Sequence, residues 1–283
     1  MEKFEFVDSK KDQVNQEVLH LSVQVSHQSF SFAVQQADDS RLLYLRHIPF
    51  ERLESISELA RRLREAIQSD KNLPGNCKEV KAIWVSPKYT LVPESYYEQP
   101  FTRKLYELSH PLNELDELHT YALTGMGYQV IYAIPQEIAH ELYQVWPEVE
   151  FYNQLVPFVQ LIEHDQEKHP GTEIYNQAYP DFTDVVIFAE NKLKLANPYP
   201  VREMNDWLYG IMSIMKQSGL DNPHTELGTG DHFLDGLSDP DTLRKYFGKL
   251  RYLKPRIPQY NISFFDSKGV NRFVNLLGII NCA

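Results

Sequence analysis

The sequence predicts an α/β protein that contains two copies of one plan, in which three strands, a helix, a strand and a second helix follow one another. Three observations predict this plan. Residues 18–34 alternate between apolar and polar side chains, and residues 51–69 have the apolar spacing of an amphipathic helix. The same order of patterns restarts after residue 171, which indicates an internal duplication.

Residues 18–34, VLHLSVQVSHQSFSFAV, have the pattern of a β-hairpin. Apolar residues alternate with polar ones on both sides of the pair His27-Gln28, which gives each strand one apolar face and places a turn at the pair. A third alternating run, residues 42–48, follows a turn-forming Asp-Asp-Ser sequence, so three antiparallel strands are expected. Residues 1–17 are polar and predict a loose lead-in to the first strand.

The first half then continues through a helix and a more irregular region. One face of the predicted helix collects apolar residues at helical spacing, namely Leu53, Ile56, Leu59, Leu63 and Ile67. Residues 87–127 contain several prolines and leucines, and they predict an insertion with short helices and one extended piece. Around this insertion the patterns predict strands at 80–85, 128–134 and 149–152, and helices at 135–146 and 155–167.

The second half repeats the order with little residue identity. The patterns predict strands at 173–179, 182–188, 192–196, 224–227 and 260–265, helices at 201–217 and 240–250, and either state at 273–280. Phe30 aligns with Phe182 and Pro49 with Pro200 to within one residue. The predicted domains are therefore a first lobe at 1–171, which carries the insertion 87–127, and a second lobe at 172–283.

Charge and cysteine content restrict the class of protein. The chain has 28 Lys and Arg residues and 39 Asp and Glu residues, which gives a net charge of −11. Such a chain repels phosphate backbones, so no nucleic-acid partner is expected. Only two cysteines are present, which indicates a reducing compartment. No signal-peptide pattern and no apolar run of membrane-spanning length is found, so we expect a cytoplasmic protein without membrane insertion.

The duplicated β-β-β-α-β-α plan resembles the ribonuclease-H-like lobes of the actin-like ATPase fold. The segments LSVQVSHQSFSFAV, IWVSPKYTLVP at 83–93 and YQVIYAIP resemble a bacterial domain family of unknown function that is grouped with those ATPases. Its relatives include the pilus-assembly and cell-division members of the fold. The resemblance covers nearly the whole chain, and it implies the fold but no particular activity.

ATPases of this fold carry an Asp-x-Gly turn after the first strand of each lobe, where backbone N–H groups bind phosphate and the carboxylate holds magnesium. The matching stretches here are residues 24–29 and 176–181, and neither contains the Asp-x-Gly pair. One remnant of a nucleotide site is conceivable in Gly228 and Gly230, where relatives have a glycine loop that packs on adenosine. The alternative is a loop that needs glycine for positive φ, and we favour it.

Other reactive side chains predict no further site. Cys77 has no histidine near it in sequence and is expected to be an ordinary cysteine. His164, Asp165 and His169 lack the spacing of metal ligands on one helix face, and the acidic segment 231–241 lacks the spacing of a calcium loop. The sequence therefore nominates no catalytic residue, no cofactor-binding residue, no metal ligand and no cofactor.

Three functional hypotheses remain. The first is a non-catalytic pseudo-enzyme that binds another protein, and the best place for its partner surface is the aromatic-rich insertion. The aromatic residues there and at the preceding strand are Trp84, Tyr89, Tyr96, Tyr97, Phe101 and Tyr106. The alternative is an ATP-binding assembly protein with atypical phosphate turns. The third is an enzyme of unrelated chemistry, which would need His, Asp and Glu side chains converging from both halves.

Overall fold

The computed structural model describes residues 3–8, 19–51, 53–164, 171–220, 226–230, 245–254 and 273–282. These residues divide into two compact units. The first unit runs to Pro157 and takes in the chain from Leu276 onward, and the second begins at Phe158 and includes Asn275. The predicted segments 231–241 and 260–265, together with Asp165, His169 and most of 1–17, lie outside the described residues.

The first unit contains a large sheet, a small sheet and the helices between their strands. In chain order the elements are β1 (Phe4–Val7), β2 (Leu19–Ser26), β3 (Ser29–Gln36), β4 (Leu42–Pro49), α1 (Ile56–Ser69), β5 (Glu79–Trp84), β6 (Tyr89–Pro93), α2 (Thr102–Glu107), β7 (Asp116–Leu123), β8 (Tyr128–Pro135), α3 (Gln136–Tyr143), β9 (Glu150–Asn153) and α4 (Leu155–Glu163), of which α4 crosses the boundary between the units.

The large sheet has the strand order β1-β4-β3-β2-β5-β9. The predicted hairpin is confirmed, because β2 and β3 pair antiparallel from Leu19 opposite Gln36 to Ser26 opposite Ser29. Strands β5 and β9 add to the sheet in parallel, as a crossover through α1 requires. The prediction of a loose lead-in was wrong for Phe4–Val7, which forms β1 and pairs with β4.

Helix α1 begins where the sequence places its capping residues. The Ser55 side chain accepts a hydrogen bond from the Glu58 amide, and the Glu58 carboxylate accepts one from the Glu54 amide, so free N–H groups at the helix start are satisfied. The helix buries Leu59 and Leu63 and packs beside α3. Apolar burial of this face, rather than helix propensity alone, stabilises the helix.

The second unit repeats the plan of the first. Its elements are β10 (Thr172–Ala178), β11 (Phe182–Ala189), β12 (Lys192–Pro200), α5 (Met204–Gln217), β13 (Glu226–Gly230) and β14 (Lys249–Tyr252), and a last helix, α6 (Val274–Gly278), crosses the boundary between the units. The sheet order is β12-β11-β10-β13-β14, which is the order β4-β3-β2-β5-β9 of the first unit. The duplicated architecture predicted from the sequence is thus confirmed.

One prediction in the second half was wrong. Residues 249–250, expected at the end of a helix, belong to β14, which pairs in parallel with β13. For the apolar segment 273–280 the sequence left helix and strand open, because periodicity does not separate the two in a short apolar run. The segment is helical, since α6 continues into a short 3-10 turn.

The insertion contains a second sheet of the first unit, with the order β6-β8-β7. Strand β8 belongs to this small sheet rather than to the large one, so the sheet extends from residue 89 to residue 135. One of its faces forms a core of its own, in which Tyr106 of α2 is fully buried against Val92, Ile131 and Ala133. The insertion thus contains folded structure with its own hydrophobic cluster.

Candidate functional site

The first turn at which an ATPase of this fold would bind phosphate is a closed two-residue hairpin here. The Ser26 and Ser29 hydroxyls lie 3.0 Å apart across the strand ends, and the Gln28 amide donates to the Ser26 hydroxyl at 3.2 Å. His27 at the tip lies against the Trp84 ring, with a centroid separation of 5.4 Å. The Gln28 N–H group is therefore used within the hairpin.

Bulky side chains and hydrogen-bonded amide side chains also fill the carboxyl end of the neighbouring parallel strands, which is where open α/β sheets bind ligands. Trp84, the last residue of β5, is buried. The next loop is held by the Gln154 side chain, whose Oε1 accepts from the Ser86 amide at 3.0 Å while its Nε2 donates to the Ser86 carbonyl at 2.9 Å. Gln154 and Asn153 are both fully buried, so these amides serve the loop structure.

The second predicted phosphate turn contains an aromatic side chain. The Tyr179 ring stacks on Phe182 with a centroid separation of 4.7 Å, and the Tyr179 amide donates to the Phe182 carbonyl at 2.8 Å. The Tyr179 hydroxyl accepts a hydrogen bond from Asn275 at 2.9 Å. Burial raises the pKa of this phenol well above 10, and the charge of Asp184 raises it further. Pro180 has no N–H group, so this turn is also poor in phosphate donors.

Gly228 and Gly230 lie in a strand rather than in a loop. Gly228 sits in the middle of β13 and pairs with Tyr175 on one side and Arg251 on the other. A β-carbon at Gly228 would overlap the Tyr175 ring, at 2.6 Å from its Cε1 atom. The favoured explanation by positive φ was wrong for Gly228, because close packing of an aromatic ring is what requires glycine there.

A buried ion-pair network surrounds this ring. The Arg251 guanidinium bonds the Glu226 carboxylate, and it donates to the Tyr175 hydroxyl at 3.1 Å and to Glu173 at 3.4 Å. Lys249 pairs with the other Glu226 oxygen at 3.1 Å. Because its charges are paired within β10, β13 and β14, this network supports the sheet and presents no open anion site.

A cavity of about 670 Å³ in the first unit is lined by both Cys77 and His20. His20 lies 2.8 Å from the Glu79 carboxylate, and burial lowers its pKa although Glu79 opposes that shift. Burial raises the pKa of the Cys77 thiol to about 12, so little thiolate forms near neutral pH. The Cys77 thiol therefore does not have the lowered pKa of an activated nucleophile.

A conspicuous surface feature of the first unit is the apolar exposure of its insertion. Four large side chains there are open to solvent: Tyr96 at 77 %, Phe101 at 46 %, Leu108 at 81 % and Leu115 at 67 %. The same region buries Tyr106 completely, so its outward apolar residues are not a consequence of poor folding. These residues lie in short turns and loops around α2, and exposed large apolar residues of this kind are typical of interaction surfaces.

Within the described part of the chain, no group of three or more His, Cys, Asp and Glu side chains is placed to hold a metal ion. None of the helices described there has the length and apolarity to cross a bilayer. Of the cluster His164, Asp165 and His169, only His164 is described, at the end of α4.

The bulk of Tyr179 and Pro180 in the second turn is visible in the sequence. The position of Trp84 beside the first turn was not predicted, although a large aromatic residue at the carboxyl end of a strand leaves little room for phosphate. The role of Gln154 in holding the Ser86 loop left no signal, because the two residues are 68 positions apart in the chain.

Comparison with known proteins agrees with the fold described above. A family model described as "Protein of unknown function (DUF3822)" matches residues 8–247. No curated protein matches the sequence. A Bacteroides thetaiotaomicron protein with actin-like ATPase fold and unknown function superposes with a TM-score of 0.79 at 18 % identity, over 95 % of this chain and 97 % of that one.

A second similar structure comes from the PilM-PilN type IV pilus biogenesis complex. It superposes with a TM-score of 0.57 at 13 % identity, over 94 % of this chain and 98 % of that chain. At such identities structural similarity establishes the fold alone. The actin-like ATPase fold predicted from the sequence is confirmed.

Proposed function

The chain belongs to the family of proteins of unknown function DUF3822, and we propose that it is a non-catalytic protein-binding module on an actin-like ATPase fold. The observation that carries this proposal is the chemistry of the two turns. In an ATPase both turns present backbone N–H groups and a metal-directed carboxylate to phosphate. Here the Gln28 amide bonds the Ser26 hydroxyl, and the Tyr179 amide bonds the Phe182 carbonyl.

Phosphoryl transfer depends on positioned phosphates and on neutralised charge, and neither requirement is supplied by these turns. Residues 24–29 contain no carboxylate at all, and in residues 176–181 the only carboxylate is Asp181, which follows Tyr179 and Pro180. Both turns therefore act as structural connections. This reasoning supports a role in binding over a role in nucleotide hydrolysis.

The insertion is the proposed contact surface for a protein partner. It exposes Tyr96, Phe101 and Leu108 on a folded support, and aromatic and leucine side chains in such positions contribute strongly to protein interfaces. The structural similarity to a PilM-PilN complex adds a precedent, since there a protein of this fold is seen in a complex with another protein.

Thermal unfolding with and without ATP and Mg²⁺ tests the loss of nucleotide binding. A ligand at a hundred times its dissociation constant stabilises the folded state by about 2.7 kcal/mol, which would raise the melting temperature by several degrees. We expect no such rise with ATP, ADP or GTP, each compared with MgCl₂ alone. A magnesium-dependent rise with ATP would overturn the proposal in favour of an ATP-binding assembly protein with atypical phosphate turns.

A further inference from the structure

The described sheets have six edge strands, and most of them are short or carry groups that prevent pairing with another strand. Edge strands expose unpaired N–H and C=O groups, and proteins limit this with short strands, proline or lysine. Strands β1, β9 and β14 have four residues each, and β6 has five and ends in Pro93. The two long edge strands are β12 and β7.

Strand β12 is protected by its own sequence. The Val201 amide donates to the Asp181 carbonyl. In this register, the backbone groups of odd-numbered residues near the C-terminal end of β12 form the hydrogen bonds to β11. Pro198 and Pro200 therefore lie at positions that face away from the sheet, and proline has no N–H group to offer there. Lys192 and Lys194 occupy the other end of the strand.

Strand β7, Asp116–Leu123, is neither short nor interrupted by proline or lysine, and its two carboxylates, Asp116 and Glu117, lie at one end only. It has eight residues and contains no proline, lysine or arginine. The Gln136 amide donates to the Leu115 carbonyl at 3.0 Å. In this register, the backbone N–H and C=O groups of the odd-numbered residues of β7 point toward β8. The N–H and C=O groups of Leu118 and Thr120 consequently face outward, and the Thr120 side chain is exposed.

We propose that β7 pairs antiparallel with β7 of a second copy of this chain, about a two-fold axis at His119, so that the small sheets of the two copies join into one six-stranded sheet. In this register Leu118 of each copy lies opposite Thr120 of the other, and their outward N–H and C=O groups meet. A two-fold contact uses the same patch on both copies, as closed dimers require. This homodimer is separate from the protein partner proposed above.

The charges along β7 favour a second copy in this orientation. Both carboxylates lie at one end of the strand, at Asp116 and Glu117, and the other end is uncharged. Antiparallel pairing about His119 sets Asp116 opposite Ala122 and Glu117 opposite Tyr121, so no carboxylates face each other. Parallel pairing in register would place each carboxylate beside its copy, which is destabilising.

The register also accounts for an exposed apolar residue. Leu115 directly precedes β7 and is exposed. Pairing about His119 brings Leu115 of each copy to the end of the other copy's strand, where the neighbouring chain covers part of its side chain. Covering Leu115 removes apolar surface from water and adds to the hydrogen bonds of the ladder.

Sedimentation equilibrium over a series of concentrations tests the dimer with three proteins. The wild type should be a dimer at the upper concentrations, Thr120→Pro should be monomeric, and Thr120→Val should remain dimeric because it keeps the outward N–H group and favours strand. The Thr120 N–H group has no bond to β8 to lose, so proline is tolerated at this edge position. If Thr120→Pro does not fold, Thr120→Lys replaces it, since an edge lysine also opposes pairing.

Amide exchange in the wild type locates the contact. The Leu118 and Thr120 amides should exchange slowly at high concentration and quickly after dilution, whereas the His119 and Tyr121 amides, bonded to β8, should remain slow at both. A wild type that is monomeric throughout the series would overturn the proposal, as would a dimer that Thr120→Pro leaves intact. Neither result would bear on nucleotide binding, so the two proposals fail separately.

Discussion

The aromatic ring of Tyr175 on β10 occupies the space in which Gly228 on β13 would carry a side chain. The two residues are direct neighbours in a parallel strand pair, and a β-carbon at Gly228 would overlap the ring, at 2.6 Å from its Cε1 atom. The ring in turn contacts Arg251, whose guanidinium carbon is 5.6 Å from its centroid. Gly228 thus makes room for an aromatic side chain that anchors a buried ion-pair network.

Substitution of Gly228 by alanine should destabilise the protein by about 1–3 kcal/mol, since the added methyl group overpacks a closed contact. The matched control is Gly210→Ala in helix α5, where a β-carbon meets no atom within 4 Å. There we expect stabilisation of about 0.5–1 kcal/mol, because alanine is the better helix residue. Urea denaturation measures both, and equal effects at the two glycines would contradict the assignment.

Replacement of Lys81 by methionine should cost about 1–3 kcal/mol, because it leaves a carbonyl without its donor. The Lys81 ammonium is buried, bonds the Cys282 carbonyl and lies 3.0 Å from the Glu79 carboxylate. The exposed Lys78 gives the control, and Lys78→Met should change stability by less than about 0.5 kcal/mol. Urea denaturation compares the two variants. A similar loss of stability in both variants would mean that the hydrogen bond from Lys81 to the Cys282 carbonyl contributes little.

Stability should fall as the pH drops below about 6.5, and His119 should account for part of that loss. Burial lowers the pKa of His119, although the nearby Glu117 carboxylate raises it in part. Below pH 6.5 the unfolded chain binds a proton that the folded chain excludes, so the folded state loses its advantage. Unfolding of wild type and His119→Gln between about pH 7 and pH 5 measures this, at low protein concentration. We expect a smaller loss in the variant, and an equal loss would assign the effect to other groups.

Both cysteines should react slowly with a thiol reagent until the protein unfolds. Burial raises the pKa of Cys77 and of Cys282 to about 12, and Cys282 is buried at the chain end near Lys81. Since the thiolate is the reactive form, the rate should be about 10-fold or more below that of the denatured chain. Absorbance release with a disulfide reagent follows the reaction. Rapid labelling of Cys77 in the folded state would instead show that Cys77 is a reactive thiol.

The double substitution Phe101→Ser with Leu108→Ser should leave stability within about 1 kcal/mol of the wild type, because both side chains are exposed. The same variant should lose the protein partner that the insertion binds. Its control is Tyr209→Ser, an exposed aromatic residue on α5 in the other unit. Affinity capture, carried out in parallel with the wild type, the double variant and the control, checks this. If the control loses the partner and the double variant keeps it, the partner does not bind at the insertion.

The strand and helix plan could be predicted from the sequence because it depends on local patterns. Period-two alternation predicted β2 and β3, and apolar residues at helical spacing predicted α1, although the predicted start at residue 51 precedes the observed start at Ile56. The absence of an Asp-x-Gly turn in both halves was also visible, since it is a statement about neighbouring residues. Strands β1 and β14 were missed, and each has just four residues, too few for periodicity to decide. The insertion was predicted to contain one extended piece, whereas it contains both β6 and the eight-residue β7.

The tertiary structure decided everything that depends on residues far apart in the chain. It set Tyr175 against Gly228, and it brought Lys81 to the Cys282 carbonyl across 201 residues. It also joined β8 to the insertion and left β7 as an unprotected edge. Local patterns determine which face of an element is apolar, but packing determines which distant element covers that face. Packing therefore determines which side chains fill the two turns, why residue 228 must be glycine, and why the edge of β7 has no neighbouring strand.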